Sequence, residues 1–297
     1  MTLLAPPLHQ PTRERPKPSA EPVRRAGPLP FPRSEAACPV APRISVLIPA
    51  HDAAQRLPRT LRSVQSQSVS EIEVIVVDDA SRDRTAEVVE EIAARDPRVR
   101  LIRAERNLGP GGARNLALQA ARAPWIALLD SDDTFLPGRL SRLLRYAEQT
   151  SADLVADNLV LRIDESEIAR PMLPPALLDG PRWLDAATFV EGNLPIPGHP
   201  RVSYGFLKPV ISRRFLERHG LGYRDGLRFA EDFDFYLRCL LAGGRWLLIP
   251  EAGYGYRVRG DSLTARHGAA ELTRLRRLDR HALETFQPAT PDPKLET

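Results

Sequence analysis

The sequence ISVLIP at residues 44–49 is the strongest indication of the fold. This apolar run is rich in β-branched residues and is bounded by Pro42 and Pro49, which is typical of a buried strand. Three similar runs come after it, EVIVVDD at 73–79, VRLI at 99–102 and WIALLD at 125–130. Each run is nearly continuous in apolar residues rather than alternating, which indicates strands that are covered on both faces.

Segments that can form helices separate these apolar runs. The first lies at 56–68, the second begins after a cap by Ser81 or Asp83, and the third runs from near Gly112 to Pro124. Strands that alternate with helices predict an α/β fold, with a mostly parallel sheet and helices on both of its faces. Sheets of this kind bind nucleotides at the carboxyl ends of their strands.

Residues 1–43 differ in composition from the rest of the chain. They hold eleven of the 29 prolines and few large apolar residues, so burial cannot offset the entropy lost on ordering them. They also carry seven arginine or lysine residues against three glutamates, an excess that accounts for the net charge of +4 of the whole chain. We therefore expect a disordered Pro/Arg-rich tail, joined to a body with no net charge.

This charge distribution argues against a nucleic-acid partner, because a neutral body lacks the basic surface that such partners need. Peripheral association of the basic tail with an anionic membrane remains open. Cys38 and Cys239 show no clustering with each other or with histidine, so neither a disulfide framework nor a zinc site is indicated. No apolar run approaches the roughly 20 residues of a membrane span, and no secretory signal is recognisable at the start. We expect a cytoplasmic protein.

The second half of the chain is less regular. We predict a strand or strand pair at 153–163, a loop-rich stretch at 164–210, a helix at 231–242, a final strand at 246–250 and a basic helix and tail at 265–297. The basic helix is typical of a solvated face, with a lipid head-group surface as the alternative partner.

Polar side chains cluster where the four predicted strands end. They are His51 and Asp52, Asp78 and Asp79, Asn107, and the acidic group Asp130, Asp132 and Asp133. Because ligands of open α/β sheets lie at the carboxyl ends of the strands, this clustering is the main functional signal in the sequence.

The turn Asp130-Ser-Asp132-Asp133 brings three carboxylates together after a buried strand. Hard oxygen ligands at this spacing suit Mg²⁺ or Mn²⁺, which can also bind substrate phosphates. The alternative is a solvated turn in which Asp133 caps the next helix.

The sequence NLGPGGARN at 107–115 places glycines before a helix, where backbone N–H groups and the helix dipole favour an anion. Arg114, in the first turn, can reach a phosphate with a forked contact. The alternative is a simple helix entry with Arg114 on the surface. Asp79 can bond a ribose or a base edge, or it can cap the next helix.

Charged residues also lie within two apolar segments of the second half. Glu231 and Asp232 open an apolar helix, where a functional pair and simple helix capping are both consistent with the pattern. Lys208 is one of three lysines in a chain that otherwise uses arginine. It indicates a need for a compact point charge, with an incidental surface lysine as the alternative.

Taken together, these motifs resemble the family-2 glycosyltransferases of the GT-A fold. The resemblance rests on ISVLIPAHDA, VIVVDDASRDRT, NLGPGGARN, WIALLDSDD, AEDFDFYLRCLLAGG and YRVRGDSLT, which succeed one another from residue 44 to about 264. Within that family the chain is most similar to bacterial enzymes that extend lipid-linked exopolysaccharide repeat units, such as those of the succinoglycan type. The resemblance implies one GT-A domain at 44–264, with a nucleotide-sugar half at 44–135 and an acceptor half at 136–264.

The resemblance also implies roles for particular residues. The residues that border the nucleotide-sugar are Pro49, Ala50 and Asp79 at the nucleoside, with Arg114 and Asp130 near the diphosphate. Asp130 and Asp132 would bind Mg²⁺ or Mn²⁺, with Asp133 as an adjacent ligand, and Asp232 matches the general base. The chain departs from the family in carrying His51 and Asp52 after the first strand and Arg259 where many relatives have histidine.

The implied function is inverting, non-processive transfer of a sugar from a nucleotide-sugar, expected to be a UDP-hexose, to an acceptor hydroxyl. The acceptor would be a glycan or a lipid-linked oligosaccharide. No Q-x-x-R-W motif occurs, which argues against a processive synthase. The alternatives are a sugar nucleotidyltransferase, a glycosidase, or a degenerate sugar-nucleotide-binding subunit without turnover.

Overall fold

The structure is a computed structural model that describes residues 41–163, 169–193 and 202–258. The tail predicted at 1–43, apart from its last three residues, the C-terminal segment predicted at 265–297, and Arg259 lie outside the described residues. None of the helices in the described ranges combines the length and the apolar character needed to cross a lipid bilayer.

A sheet of ten strands forms the centre of the described chain. The strands are β1 (Ile44–Ala50), β2 (Ile72–Asp78), β3 (Val99–Arg103), β4 (Trp125–Leu128), β5 (Thr134–Phe135), β6 (Leu154–Ile163), β7 (Ala169–Pro171), β8 (Arg182–Leu184), β9 (Val210–Ser212) and β10 (Trp246–Val258). Their order across the sheet is β3-β2-β1-β4-β9-β6-β10-β5, with β7 beside β6 and β8 beside β10.

The first half of this sheet is parallel, as the sequence predicts. β1 pairs with β2 and β4 in parallel, and β2 pairs with β3 in the same way. β9 runs antiparallel between β4 and β6, and β10 runs parallel to β6. Every residue of β2 is buried, as is every residue of β1 except Pro49. The expectation of an α/β fold with strands covered on both faces is therefore confirmed.

Helices alternate with the strands of the first half as predicted. They are α1 (Leu57–Gln65), α2 (Thr85–Ala93), α3 (Gly109–Ala120) and α4 (Arg139–Thr150), and the second half adds α5 (Ala186–Asn193), α6 (Arg213–His219) and α7 (Glu231–Leu241). α3 begins at Gly109 rather than near Gly112, because Pro110 is tolerated in the first turn of a helix.

The second half contains more regular structure than the sequence predicts. The stretch at 164–210, predicted as loop-rich, includes β7, β8, α5 and a 3₁₀ turn at Tyr204–Phe206. These elements are too short for a periodic pattern to stand out. The predicted strand or strand pair at 153–163 is the single strand β6, and the final strand continues past residue 250 to Val258.

The extra length of β10 brings its second part to the acidic turn after β4. The register between β6 and β10 shifts twice between Ile249 and Tyr254. Gly253 lies in this irregular part, and a Cβ there would overlap Asp157 Oδ2 and lie 2.8 Å from Arg142 Nη2. Only glycine allows this close approach, which places Tyr254 within hydrogen-bonding distance of the acidic turn.

Candidate active site

Charged side chains from both halves of the chain, together with one tyrosine, meet at the carboxyl end of β4. We call this group the charged cluster; it consists of Arg114, Asp130, Lys208, Tyr223, Glu231 and Asp232. α3 supplies the arginine, the end of β4 supplies Asp130, and the first turn of α7 supplies the other two carboxylates. The predicted acidic sites at 130 and 231–232 therefore belong to one site.

Arg114 lies at the centre of the charged cluster. Its Nη2 donates to Asp130 Oδ1 at 2.5 Å, and its Nη1 lies 3.0 Å from Glu231 Oε1 and 3.1 Å from Asp232 Oδ1. The residue is only 2% exposed, so the alternative of a surface arginine is wrong. Buried charges of this kind persist when they are paired on several sides, and Arg114 thereby connects the two halves of the chain.

Lys208 forms a second link between the same carboxylates. Its Nζ lies 2.5 Å from Asp232 Oδ2 and 3.0 Å from Asp130 Oδ2, and the residue is 4% exposed. The alternative of an incidental surface lysine is therefore wrong. Its backbone carbonyl accepts a hydrogen bond of 2.5 Å from Arg139 Nη2, which fixes the segment that carries the ammonium group.

Electrostatics within the charged cluster keep Asp130 and Lys208 charged and act in the opposite direction on Glu231. Burial alone would raise the pKa of Asp130, but Lys208 and Arg114 hold it far below its ordinary value. Burial would likewise lower the pKa of Lys208, but Asp130 and Asp232 raise it instead. The pKa of Glu231 is raised by burial and by the nearby Asp232 charge.

Asp133 is held inside the protein by partners outside the charged cluster. Its Oδ2 accepts a hydrogen bond of 2.8 Å from the Tyr254 hydroxyl, and its Oδ1 accepts one of 2.8 Å from the Arg257 backbone N–H. Burial raises the pKa of Asp133 well above its ordinary value, and the charges of Asp130 and Asp132 add to this rise. Asp133 is 2% exposed, whereas Asp132 is partly exposed. Asp133 therefore holds the turn in shape.

No ready-made metal centre appears in the part of the chain that the structure describes, since no three His, Cys, Asp or Glu side chains are grouped to hold an ion. The side chain of Asp130 is 25% exposed, and each of its oxygens accepts from one cation. Because a carboxylate offers about four lone-pair positions, Asp130 retains room for a further ligand. Asp133, which the family resemblance implies as an adjacent ligand, is only 2% exposed, so its carboxylate is less accessible to an ion than those of Asp130 and Asp132.

Asp79 caps α3, the helix that carries Arg114. Its two carboxylate oxygens accept hydrogen bonds from the backbone N–H groups of Leu108 at 2.7 Å and Gly109 at 2.9 Å. A carboxylate at this position also gains from the helix dipole. The glycine pattern predicts that a phosphate binds at the start of this helix, but the Asp79 carboxylate occupies that position. Asp79 therefore caps α3, whereas the sequence predicts a cap for the next helix along the chain, α2.

The glycines of α3 serve close packing. A Cβ at Gly111 would lie 3.3 Å from Tyr223 Cβ and 3.7 Å from Glu231 Cβ. Small residues here let the loop before α7 approach the helix, and Arg114 meets Glu231 and Asp232 as a result. The sequence assigned these glycines to anion binding, whereas the geometry shows a steric role.

The end of β1 lies beside this cap. Pro49 and Ala50 pair with Val77 and Asp78 of β2, next to Asp79. His51 comes directly after them, with its Nδ1 at 2.9 Å from the Asp79 carbonyl and a side chain that is 43% exposed. The three residues that the family resemblance assigns to the nucleoside are thus brought to one edge of the sheet.

Sequence reasoning missed the two tyrosines of the site. The Tyr223 hydroxyl donates to Asp232 Oδ1 at 3.0 Å, and the Tyr254 hydroxyl contacts both Asp133 and the backbone N–H of Asp130. Tyr223 lies in a loop without a recognisable motif. Tyr254 lies two residues before the YRVRGDSLT motif at 256–264, and its nearness to that motif was the available signal.

We expect Asp79→Ala to lower the free energy of unfolding by about 0.5–2 kcal/mol, the usual range for a lost helix cap. Two backbone N–H groups of α3 would lose their acceptor. Urea denaturation measures the loss, and Asp79→Asn, which keeps one acceptor oxygen, should fall between the alanine variant and the wild type. Wild-type stability combined with lost nucleotide binding would contradict the capping role and favour a direct contact with the ligand.

Comparison with known proteins agrees with this architecture. The family model described as glycosyl transferase family 2 matches residues 45–206. The succinoglycan biosynthesis protein ExoU of Rhizobium meliloti (strain 1021) is 39% identical over 241 residues, which cover 81% of this chain and 69% of ExoU. ExoO of the same strain is 39% identical over 232 residues, 75% of this chain and 63% of ExoO. The chain thus spans about two thirds of the length of these relatives.

Solved structures show the same fold. S. aureus TarS 1-349 in complex with UDP-GlcNAc superimposes with a TM-score of 0.68 at 20% identity, covering 82% of this chain and 67% of TarS 1-349. The complex of the same TarS fragment with UDP gives a TM-score of 0.65 at 19% identity and covers 66% of the fragment. The expected GT-A fold is confirmed. The family match over residues 45–206, together with 39% identity to ExoU across most of the chain, shows that this protein belongs to glycosyl transferase family 2.

Proposed function

We propose that this protein is an inverting, non-processive glycosyltransferase that moves a sugar from a nucleotide-sugar to an acceptor hydroxyl. The observation that carries the proposal is the charged cluster, in which Asp232 of α7 lies within one ion-pair network with Asp130 at the end of β4. This arrangement supplies a base candidate beside a site suited to a diphosphate. In this proposal the donor half is 44–135 and the acceptor half is 136–264.

The reaction is a direct displacement at the anomeric carbon. The acceptor oxygen forms a bond to that carbon while the bond from carbon to the diphosphate oxygen breaks, and the diphosphate leaves with the electron pair. The acceptor hydroxyl must lose its proton, and Asp232 accepts it. Because attack and departure occur on opposite faces, the anomeric configuration inverts without a covalent intermediate.

Asp232 has one acceptor position left for this proton. Its Oδ1 accepts from Arg114 and from the Tyr223 hydroxyl, and its Oδ2 accepts from Lys208. A carboxylate offers about four lone-pair positions, so the remaining one lies on Oδ2. The residue is 8% exposed, so an acceptor hydroxyl has to enter the site to reach it.

We propose that Mg²⁺ or Mn²⁺ is held by Asp130 and Asp132, without Asp133. Asp130 and Asp132 are both partly exposed on the same turn, whereas Asp133 is 2% exposed and is bonded to Tyr254 and to the Arg257 backbone inside the protein. When bound, the cation would compensate charge on the diphosphate. The charge balance of the charged cluster supports a bound cation. Three carboxylates in it, Asp130, Glu231 and Asp232, are paired with two cations, Arg114 and Lys208.

The donor in this proposal is a UDP-hexose, and the acceptor is a lipid-linked oligosaccharide of a cell-surface or exopolysaccharide pathway. The UDP and UDP-GlcNAc complexes of TarS support a uridine donor, and the succinoglycan names of the relatives support the acceptor class. Peripheral attachment at the inner face of the plasma membrane would bring the protein to such an acceptor.

A donor screen tests the proposal. The full-length protein is incubated with UDP-glucose, UDP-galactose or UDP-GlcNAc, with Mn²⁺ and a panel of oligosaccharide and lipid-linked acceptors, and released UDP is measured. We expect acceptor-dependent UDP release with one donor. Donor binding without release under any condition would favour the binding subunit, and pyrophosphate release from UTP and a sugar phosphate would favour the nucleotidyltransferase.

A further inference from the structure

Lys208 contacts both carboxylates that the proposed reaction uses. One ammonium group reaches Asp232 Oδ2 at 2.5 Å and Asp130 Oδ2 at 3.0 Å. We propose that Lys208 is a positioning residue that ties the donor side of the site to the acceptor side and orients the base. This inference rests on the proposed function, because it assigns a residue to the same reaction.

The type of side chain fits this task. An ammonium group is a compact point charge that can be shared between two oxygens, whereas a guanidinium presents a rigid planar fork. Lys208 is the one lysine among the described residues, since the other two lysines are Lys17 and Lys294. The site already contains the fork of Arg114 on the opposite oxygens, so a second fork would compete for the same space.

A buried ion pair holds the backbone of Lys208. Arg139 and Asp157 form a completely buried ion pair with Nη2 to Oδ1 at 2.8 Å, and the same Nη2 donates to the Lys208 carbonyl. The guanidinium carbon of Arg139 also lies 5.2 Å from the centre of the Tyr254 ring. The backbone that carries the ammonium is therefore held by a buried ion pair outside the charged cluster.

Orientation of Asp232 results from this anchoring. With Lys208 on Oδ2 and with Arg114 and Tyr223 on Oδ1, the carboxylate cannot rotate. The last lone pair of Oδ2 is then held in one direction, which is what a base that meets an acceptor hydroxyl requires. Without the ammonium, Oδ2 would lose its partner, and the Asp130 and Asp232 charges would repel each other across the site.

The experiment combines Lys208→Met with measurements of kcat, UDP affinity and melting temperature. We expect kcat to fall about 100-fold, the usual cost of a misplaced catalytic group. UDP affinity by calorimetry should change less than about threefold, because the ammonium contacts two carboxylates of the protein and is itself only 4% exposed. Lys208→Arg keeps the charge without the compact shape, and it should also lose at least about tenfold in kcat.

A second measurement does not depend on turnover. Lys208→Met leaves the buried Asp232 and the partly exposed Asp130 short of a cation, so its melting temperature should fall by about 5–10 °C. Adding Asp232→Asn removes one of those charges and should restore part of the loss. Arg122→Met is the matched control, because it removes a cation from the buried Glu73 away from the site; it should lower the melting temperature and leave kcat within about threefold.

The outcomes separate the two proposals. A wild-type kcat in Lys208→Met or Lys208→Arg, or a double variant no more stable than Lys208→Met, would overturn the role of Lys208. Absence of sugar transfer by the wild type, together with restored stability in the double variant, would overturn the proposed function while supporting the ammonium bridge.

Discussion

Asp232→Asn is expected to abolish sugar transfer while donor binding persists. The amide keeps the size of the side chain, but its nitrogen cannot accept the proton of the acceptor hydroxyl. Loss of a general base lowers the rate by on the order of 10²–10⁴-fold. The measurements are kcat with the donor found by the screen, UDP affinity by calorimetry, and melting temperature.

Glu231→Gln is the matched control for this variant. Glu231 is the neighbouring acid, shares the first turn of α7 and contacts the same Arg114 Nη1 at 3.0 Å. Its amide variant should retain most of the transfer rate. If Asp232→Asn stays active and is only less stable, the residue is a cap and an ion-pair partner, and the base must lie elsewhere.

Asp132→Ala should cause the second large loss, in turnover and in metal-dependent nucleotide binding together. Removing one of the two proposed hard ligands would leave the charge of the diphosphate without compensation. Calorimetry of UDP binding with Mn²⁺ and with EDTA measures the metal-dependent part of the affinity, which should disappear in the variant.

Asp133→Asn provides the comparison within the same turn. Asp133 bonds to Tyr254 and to the Arg257 backbone, and an asparagine can keep an acceptor for either partner. We expect this variant to keep the metal-dependent gain in UDP affinity. Full activity of Asp132→Ala in EDTA would contradict the assignment of the metal, and lost metal dependence in Asp133→Asn alone would return Asp133 to the ligand set.

The parallel half of the fold was predictable from sequence because each strand is a continuous apolar run between helix signals. β1 and β2 are buried almost throughout, so no polar alternation obscures the pattern. β7 and β8 have three residues each and gain their structure from pairing with β6 and β10. Such elements depend on tertiary contacts, which a local pattern does not contain.

The site was predictable as a list of acidic residues and only partly as a geometry. The sequence placed Asp130 and Asp232 at the ends of separate elements, and the topology brings both to one ion-pair network. What local reasoning could not supply is the set of partners from distant segments, such as Lys208 for Asp232 and Tyr254 for Asp133. The sequence allows a helix-capping role for Asp79, but it indicates the next helix, α2, whereas Asp79 caps α3.

The pairing of Arg114 with Glu231 and Asp232 also limits how enzymes of this kind can be recombined. A chimera that joins residues 44–135 of this chain to the second half of a relative would bury the Arg114 guanidinium against foreign residues. If those residues lack the two carboxylates, Nη1 of the buried Arg114 loses both of its partners and Asp130 alone remains paired with the guanidinium, which is destabilising. Swapping halves to change the acceptor preference should therefore succeed only when both parent proteins have the arginine on α3 and the two carboxylates on α7.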